Sequence, residues 1–240
     1  MGQSVRRHRL PDRETSWAEG QGVSSSNQFL ADVNGDGKAD LVLFWGSSGT
    51  WYVSLSSGNG FGSPQLWSNG NGAGSNDQFV ADFTGDAKAD AAVYFASNGN
   101  WYIGPSTGSL FVGPTNAYPF AQWSVGHACT GSCTSLITTS QRLVGKVGSD
   151  AKADATYFRA SDGYWWVGQS SGGGFYTPTP WASGHGVGTS ERFLGDVAGD
   201  GKDDMILFDV NQGDWNVSTS DGNGFAATPG PWVHGHGAGS

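Results

Sequence analysis

Charged residues and cysteines are scarce in this 240-residue sequence, and long apolar runs are absent. Only 14% of the residues are charged, and no stretch of 18 apolar residues is available to form a membrane-spanning helix. The formal net charge is −9 at pH 7, and so acidic a protein is a poor match for a phosphate backbone. We therefore expect no nucleic acid and no membrane insertion among its partners.

The two cysteines and the first residues bear on the compartment. Cys129 and Cys133, in CTGSC, fit a short local disulfide; the alternative is a metal half-site, but no second half-site accompanies it. A disulfide favours an oxidising compartment, so we expect a secreted or cell-surface protein. The opening MGQSVRRHRLPDRE is basic and contains no apolar stretch of the kind a signal peptide needs.

Glycine and tryptophan are abundant instead. The sequence has 40 glycines and 11 tryptophans. Glycine destabilises helix interiors, whereas aromatic residues favour strands, so the composition disfavours a helical protein. So many aromatic residues also disfavour disorder.

Three sequence markers repeat in step. Four acidic loops read DVNGDGKAD, DFTGDAKAD, KVGSDAKAD and DVAGDGKDD, and successive loops begin 50, 64 and 50 residues apart. A tryptophan after each loop and a phenylalanine further on keep the same intervals. The loops, tryptophans and phenylalanines begin or lie at Asp32, Asp82, Lys146 and Asp196; at Trp51, Trp101, Trp165 and Trp215; and at Phe61, Phe111, Phe175 and Phe225.

A fourth marker, the opener, has the pattern W-x-x-G and occurs five times. It predicts a non-repeat segment over residues 1–16 and repeat units over residues 17–240. The units start near residues 17, 67, 123 and 181, and a partial fifth unit starts at residue 232.

Each unit contains four short apolar segments separated by glycine-rich turns, such as NQFLADV, LVLFW, TWYVSL and GFGSPQLW. Four strands at a period of about 50 residues are typical of a β-propeller blade. The predicted fold is therefore all-β, a β-propeller of four full repeats and a partial fifth. The ring would be closed within the chain or by oligomerisation, or the repeats would belong to a longer ring, because open strand edges promote aggregation. A β-solenoid is the alternative architecture.

The acidic loops have the spacing of a calcium site but not of an EF-hand. An EF-hand needs a bidentate Glu at position 12, where the first loop has Leu43. Oxygen donors at positions 1, 3, 5 and 9, with a backbone carbonyl at position 7, can still surround Ca²⁺. The predicted ligands of the first loop are Asp32, Asn34, Asp36, Asp40 and the carbonyl of Lys38.

The other loops keep this pattern to different degrees. The third loop has Lys146 at position 1 and Gly148 at position 3, and we expect no ion there because the ammonium can pair with Asp150 and Asp154. Aspartates that merely cap turns are the alternative explanation for all four loops. In the second and fourth loops the predicted ligands are Asp82, Thr84, Asp86, the carbonyl of Lys88 and Asp90; and Asp196, Asp200, the carbonyl of Lys202 and Asp204.

The sequence DVNGDGKADLVLF, followed by a tryptophan strand and GNGF, resembles the FG-GAP or VCBS repeats of integrin-α-type propellers and of related fungal propeller lectins. The likeness covers residues 17–240. It implies calcium in the loops and, in the lectin members, sugars bound between adjacent blades. Lys146 departs from the family pattern.

The openers are the candidate sugar site. An indole next to a polar side chain offers a surface for the C–H face of a sugar and hydrogen bonds for its hydroxyls. The alternative is that these tryptophans pack one blade on the next. The candidate ligand-binding residues are Trp17 and Gln21, Trp67 and Asn71, Trp123 and His127, Trp181 and His185, and Trp232 and His236.

These features predict a calcium-stabilised, carbohydrate-binding propeller with repeated weak sites, whose partners are glycans or glycoproteins. An adhesion or protein-interaction scaffold, or a non-catalytic module of a secreted enzyme, is the alternative. We do not expect an enzyme, because HExxH does not occur and the acidic residues outside the loops are scattered.

Overall fold

A computed structural model of the chain describes residues 16–112, 120–124, 141–227 and 230–236. These residues form sixteen β-strands in four antiparallel sheets of four. The predicted disulfide between Cys129 and Cys133, the candidate ligand residue His127 and nearly all of the non-repeat segment lie outside the described residues. No helix among the described residues could cross a membrane.

The sheets are the blades of a β-propeller, and each follows the chain order of its strands. Blade 1 contains β1 (Asn27–Ala31), β2 (Asp40–Trp45), β3 (Thr50–Ser54) and β4 (Gln65–Ser68). Blade 2 contains β5 (Asp77–Ala81), β6 (Asp90–Phe95), β7 (Asn100–Gly104) and β8 (Ala121–Ser124). Blade 3 contains β9 (Gln141–Gly145), β10 (Asp154–Arg159), β11 (Tyr164–Gly168) and β12 (Thr179–Ala182). Blade 4 contains β13 (Glu191–Gly195), β14 (Asp204–Asp209), β15 (Asp214–Ser218) and β16 (Gly230–Val233).

The second and third strands of blades 2 and 3 are largely buried because each of these blades lies between two neighbouring blades. In blade 1, Val42 and Phe44 of β2 face blade 2, whose Ala91 and Val93 face back toward them. The three boundaries between adjacent blades each contain one such apolar cluster. The core of the protein is therefore divided among the blade boundaries.

The first strands lie side by side in an arc. β1 contacts β5, β5 contacts β9, and β9 contacts β13. No contact joins β13 back to β1 in the part of the chain that the structure describes. Closure of the ring within the chain, one of the predicted alternatives, is therefore not seen in these residues.

The openers end blades, which corrects the predicted unit boundaries. Trp67 lies in β4, the last strand of blade 1, and Trp123 and Trp181 lie in β8 and β12. Trp232 lies in β16 and completes blade 4, so the predicted partial fifth unit is absent from the described residues. The glycine-rich residues after each tryptophan form the linker to the next blade.

Candidate functional site

The last aspartate of each acidic loop fixes the loop to the rest of its blade. In blade 1, Asp40 is buried and accepts hydrogen bonds from the backbone N–H groups of Val33 (3.2 Å) and Ser56 (2.7 Å). The same bond to a serine N–H recurs in every blade at 2.7–2.9 Å, from Ser56, Ser106, Ser170 and Ser220. Position 9 of the loop therefore has a structural role in all four blades.

The first aspartate of the loop organises the turn. Asp32 accepts hydrogen bonds from the N–H groups of Gly35 (2.7 Å), Asp36 (3.2 Å) and Gly37 (2.7 Å). Asp82 and Asp196 make the equivalent three bonds in the second and fourth loops. This arrangement is the turn-capping role of aspartate that was the alternative to calcium.

A lysine ammonium lies among the carboxylates of each loop. Lys38 pairs with Asp36 at 2.8 Å, and this contact, together with the charges of Asp40 and Asp32, raises the pKa of Lys38. The same pair occurs in the other three loops at 2.5–2.6 Å, between Lys88 and Asp86, Lys152 and Asp150, and Lys202 and Asp200. Each loop therefore attracts a cation, and the lysine at position 7 supplies one.

The donor chemistry of the first loop fits a hard cation, because its oxygen donors include the carboxylates of Asp32, Asp36 and Asp40. However, among the described residues no three acidic or histidine side chains are placed together as a metal site. The carboxylates instead accept N–H bonds, and an ion would have to replace the ammonium. Calcium binding stays a prediction for the three loops.

The third loop is held differently from the prediction. Asp150 pairs with Lys152, and Asp154 accepts the N–H of Gly148, so the partners of these carboxylates are not the ammonium of Lys146. The backbone of Lys146 instead bonds to Asp203 of blade 4 in both directions, at 2.7 and 2.9 Å. Asp203 replaces the alanine found at position 8 of the other loops and caps the backbone where the first carboxylate is missing.

The opener tryptophans pack one blade on the next. Trp67, Trp123 and Trp181 are 3%, 7% and 8% exposed, and their rings meet Phe111, Phe175 and Phe225 at 5.0–5.5 Å in T-shaped contacts. Little of these three indoles is open to a sugar, which agrees with the packing alternative. Trp17 and Trp232, at the two ends of the arc, are 45% and 52% exposed.

The polar residues of three openers, Gln21, Asn71 and His185, tie their linkers to the following blade. Asn71 is buried and accepts the N–H of Phe120 at 2.9 Å, while its amide donates to Ser68 at 2.8 Å. Gln21 donates to the carbonyl of Gly62 at 3.1 Å, and His185 contacts that of Ala227 at 2.9 Å. His236 lies at the exposed end of blade 4. The side-chain bonds of Gln21, Asn71 and His185 therefore have structural partners already.

Beneath two of these linkers lie clefts that sequence analysis missed. Cleft 2 has a volume of about 260 Å³ and lies between the linker of Asn71 and the face of blade 2 that is turned toward blade 1. Its wall is an aromatic pair, Phe95 and Tyr102, whose rings meet edge to face at 5.7 Å. Asn98, in the exposed turn between β6 and β7, lies at its rim.

Cleft 1 repeats this site on blade 1. Its volume is about 580 Å³, and its aromatic pair is Trp45 and Tyr52 at 5.3 Å. Ser48, in the β2–β3 turn, and Thr50, at the start of β3, lie at its rim. Seven lining positions recur exactly one repeat apart in the two clefts: 20 and 70, 21 and 71, 22 and 72, 43 and 93, 45 and 95, 48 and 98, and 52 and 102.

The equivalent positions of the other blades differ in chemistry. Blade 3 has Arg159 and Trp166 at the positions of the aromatic pair, and Arg159 pairs with Asp162 at 2.6 Å. Blade 4 has Asp209 and Asn216 there and no aromatic residue. The clefts of blades 1 and 2 are therefore the best matched pair.

One sequence signal could have located the clefts. In WYV and WYI, Tyr52 and Tyr102 follow the buried tryptophans of β3 and β7 directly. Because side chains alternate across a strand, the tyrosines must lie on the opposite face from the core tryptophans.

Comparisons with known proteins agree with the fold. Residues 32–93 match the FG-GAP-like repeat family model. No curated protein sequence matches the chain significantly. A solved structure of an Agrocybe aegerita lectin, which specifically recognises non-reducing terminal N-acetylglucosamine, is 24% identical with a TM-score of 0.60, covering 85% of this chain and 51% of the lectin chain. The chain therefore spans about half the length of that lectin.

Two other solved structures are less similar to this chain. A rhamnogalacturonan lyase from Bacillus licheniformis is 13% identical with a TM-score of 0.43, over 85% of this chain and 42% of the lyase. The V. cholerae biofilm matrix protein Bap1 is 18% identical with a TM-score of 0.34, over 88% of this chain and 32% of its own. With the repeat match and the four blades, the predicted resemblance of this chain to FG-GAP-like repeat β-propellers is confirmed.

Proposed function

We propose that this propeller is a carbohydrate-binding, lectin-like module and that sugars bind in clefts 1 and 2. The observation that carries the proposal is the recurrence of one cleft on two blades, each with an edge-to-face aromatic pair and a polar rim. This moves the candidate contact from the opener tryptophans to residues of the second and third strands.

The chemistry of the clefts suits a sugar ring. The half-buried rings of Phe95 and Tyr102 offer an apolar wall to the C–H groups of a pyranose. The amide of Asn98 and the hydroxyl of Tyr102 can hydrogen-bond to its hydroxyls. A volume of about 260 Å³ is small for a ligand pocket and suits one terminal sugar better than an oligosaccharide.

Two sites on one chain would act together on a surface that carries many glycans. Each shallow site alone would bind weakly, and linkage of the two would raise the effective concentration at the second. Terminal N-acetylglucosamine is the first probe to use, because the structurally similar fungal lectin recognises it.

Calcium would support this function without touching the sugar. In the first loop it would be held by Asp32, Asn34, Asp36, Asp40 and the carbonyl of Lys38. It would supply charge neutralisation where the carboxylates repel one another. The clefts include none of these residues.

The test is retention on beads that carry terminal N-acetylglucosamine, followed by a panel of other glycans. We expect the chain to be retained and to be released by free sugar. Tyr52→Ala with Tyr102→Ala should abolish retention, whereas Tyr176→Ala, at an exposed tyrosine outside both clefts, should not.

Melting temperatures of the three proteins separate lost binding from lost folding. Asn98→Ala with Ser48→Ala changes only exposed rim residues and should weaken retention at an unchanged melting temperature. Absence of binding to every glycan in the panel, or binding that survives all the cleft variants, would reject the proposal and favour the protein-interaction scaffold.

A further inference from the structure

Adjacent blades are joined by one set of contacts that recurs at all three boundaries. The N–H group at loop position 8 of each later blade donates to the carbonyl at position 1 of the blade before it, at 2.7–2.9 Å. A serine hydroxyl of the later blade donates to the carbonyl at position 2, at 2.5–2.7 Å. These serine bonds join Ser106 to Val33, Ser170 to Phe83, and Ser220 to Val147.

The first strands of the blades, β1, β5, β9 and β13, add a polar contact to each boundary. The first residue of a blade's first strand bonds to the second residue of the next blade's first strand. One of these pairs joins two amides, and the other two include an arginine. The pairs are Asn27 with Gln78, Asp77 with Arg142, and Gln141 with Arg192. On blade 4 the first residue of the first strand is Glu191, and on blade 1 the second residue is Gln28. Both side chains are exposed.

Blade 4 presents the exit half of this interface without a following blade in the described residues. Val197 is 43% exposed, whereas Val33, Phe83 and Val147 at its position are fully buried. Trp215 is half-buried, whereas its three counterparts are fully buried. Together with Trp232, these side chains form the exit face, defined as Val197, Trp215 and Trp232.

Blade 1 presents the matching entry half. Ala39, Leu41 and Ser56 occupy the positions at which Ala89, Ala91 and Ser106 meet blade 1 from blade 2. Ala39 is exposed and Leu41 partly exposed, although Ala91 is fully buried. At each of the three internal boundaries, an exit face is covered by the entry face of the next blade. Blade 1 has an entry face with residues at the same positions.

We propose that the exit face of blade 4 binds the entry face of blade 1 of a second copy, and that two copies close an eight-bladed ring. Two open arcs of four blades give eight blades, which is the upper end of the usual range for propellers, whereas three copies would give twelve. A twofold axis would make both new boundaries identical, as in most closed dimers.

One residue competes with this assembly. Trp17 covers Phe61 in a T-shaped contact at 5.6 Å, and its carbonyl accepts the Phe61 N–H at 3.0 Å. Trp67, Trp123 and Trp181 make the same two contacts to the phenylalanine of the next blade. In the dimer, Trp232 takes this place on Phe61 of the second copy, and it must displace Trp17 to do so.

The two terminal tryptophans therefore have opposite effects on assembly. Trp232→Ala removes the group that covers Phe61 in the dimer, and it should raise the dissociation constant at least about tenfold, as expected of a central aromatic contact. Trp17→Ala removes the competitor and should lower the dissociation constant. Tyr176→Ala, at an exposed tyrosine away from both faces, is the control and should leave it unchanged.

Sedimentation equilibrium of the full chain over a range of concentrations measures these constants. We expect the mass to rise from 25.0 kDa to about twice that value. A wild-type chain that stays monomeric at millimolar concentration, a limiting mass above two chains, or a shift of both tryptophan variants in the same direction would each overturn the proposal.

A charge exchange tests the same boundary without touching an aromatic residue. Gln28→Glu sets a second carboxylate opposite Glu191 and should weaken the dimer. Adding Glu191→Arg should restore it. Both side chains are exposed, so circular dichroism should show unchanged folding. Failure of the second change to restore the dimer would place the contact elsewhere and contradict the proposed ring.

Discussion

The indole Nε1–H of Trp101 donates a 2.7 Å hydrogen bond to the hydroxyl of Tyr157 across the boundary between blades 2 and 3. Both side chains are buried, and their rings are perpendicular at 6.3 Å. Trp51 and Trp165, at the same position of their blades, instead donate to the carbonyls of Asn71 and His185 in the linkers. At the second boundary, the acceptor of the indole N–H is thus a side chain of the next blade and not a linker carbonyl.

Tyr157→Phe should therefore destabilise the protein although it removes a single oxygen. The substitution leaves the buried indole N–H of Trp101 without a partner, which costs about 1–3 kcal/mol. Chemical denaturation measures the change in the free energy of unfolding. Tyr176→Phe, at an exposed tyrosine, is the matched control and should have no effect, and equal stability of both variants would contradict this account.

Ala87 offers a test of the loop backbone. It occupies position 6 of the second loop with a φ of +65°, where the first and fourth loops have glycine at similar angles. A side chain in this left-handed conformation costs about 1–2 kcal/mol, so Ala87→Gly should raise the free energy of unfolding.

The third loop provides the control for that substitution. Ala151 holds the same position there, but its φ is not positive. Ala151→Gly should therefore lower stability slightly through the greater freedom of the unfolded chain. Opposite signs for the two substitutions are expected, and equal signs would show that the two loops share one backbone conformation.

The buried loop aspartates predict a pH dependence of the metal-free chain. Burial raises the pKa of Asp90 to about 7 and that of Asp154 to about 6, against the opposing effect of the backbone N–H bonds they accept. Between pH 4 and 7 the folded chain consequently holds more protons at these sites than the unfolded chain. Its stability should therefore fall as the pH rises through this window.

Thermal unfolding in the presence of a chelator, at fixed ionic strength, follows this dependence. Asp90→Asn removes the titrating group and should flatten the profile between pH 5 and 7, even though it also lowers stability. A wild-type profile that rises steadily from pH 4 to 7 would show that these carboxylates are ionised throughout.

Calcium addition should raise the melting temperature if the prediction for the loops is right. The ion would take the place of ammonium groups such as that of Lys38 and neutralise three carboxylates that repel one another. Differential scanning calorimetry with calcium and with chelator makes the comparison. Asp36→Asn should reduce the calcium effect, whereas Asp150→Asn in the third loop should not, and an unchanged melting temperature in the wild type would remove the metal from the account.

The strands of each blade could be predicted well from the sequence, whereas the residue at which each blade begins could not. Intervals of 50, 64 and 50 residues located the loops, the core tryptophans and the four strands of each blade. A repeat has no intrinsic start, however, so Trp67 was assigned to the beginning of a unit although it lies in the last strand of blade 1. The predicted fifth unit at Trp232 followed from the same choice.

The candidate site was predicted less well because it depends on which face a side chain occupies. The sequence left open whether the opener tryptophans bind sugar or pack one blade on the next, and Trp67 packs on Phe111 of the next blade, a contact 44 residues away in sequence. The clefts are formed only when a linker crosses the face of a blade that is turned toward the preceding blade, which composition and spacing do not show.

The most direct test of the proposed function is a crystal structure of the chain soaked with N-acetylglucosamine. The account predicts sugar density in clefts 1 and 2, with the ring against Tyr52 and Tyr102 and hydroxyls within hydrogen-bonding distance of Ser48 and Asn98. Density for a bound sugar elsewhere on the propeller, with both clefts empty, would contradict it.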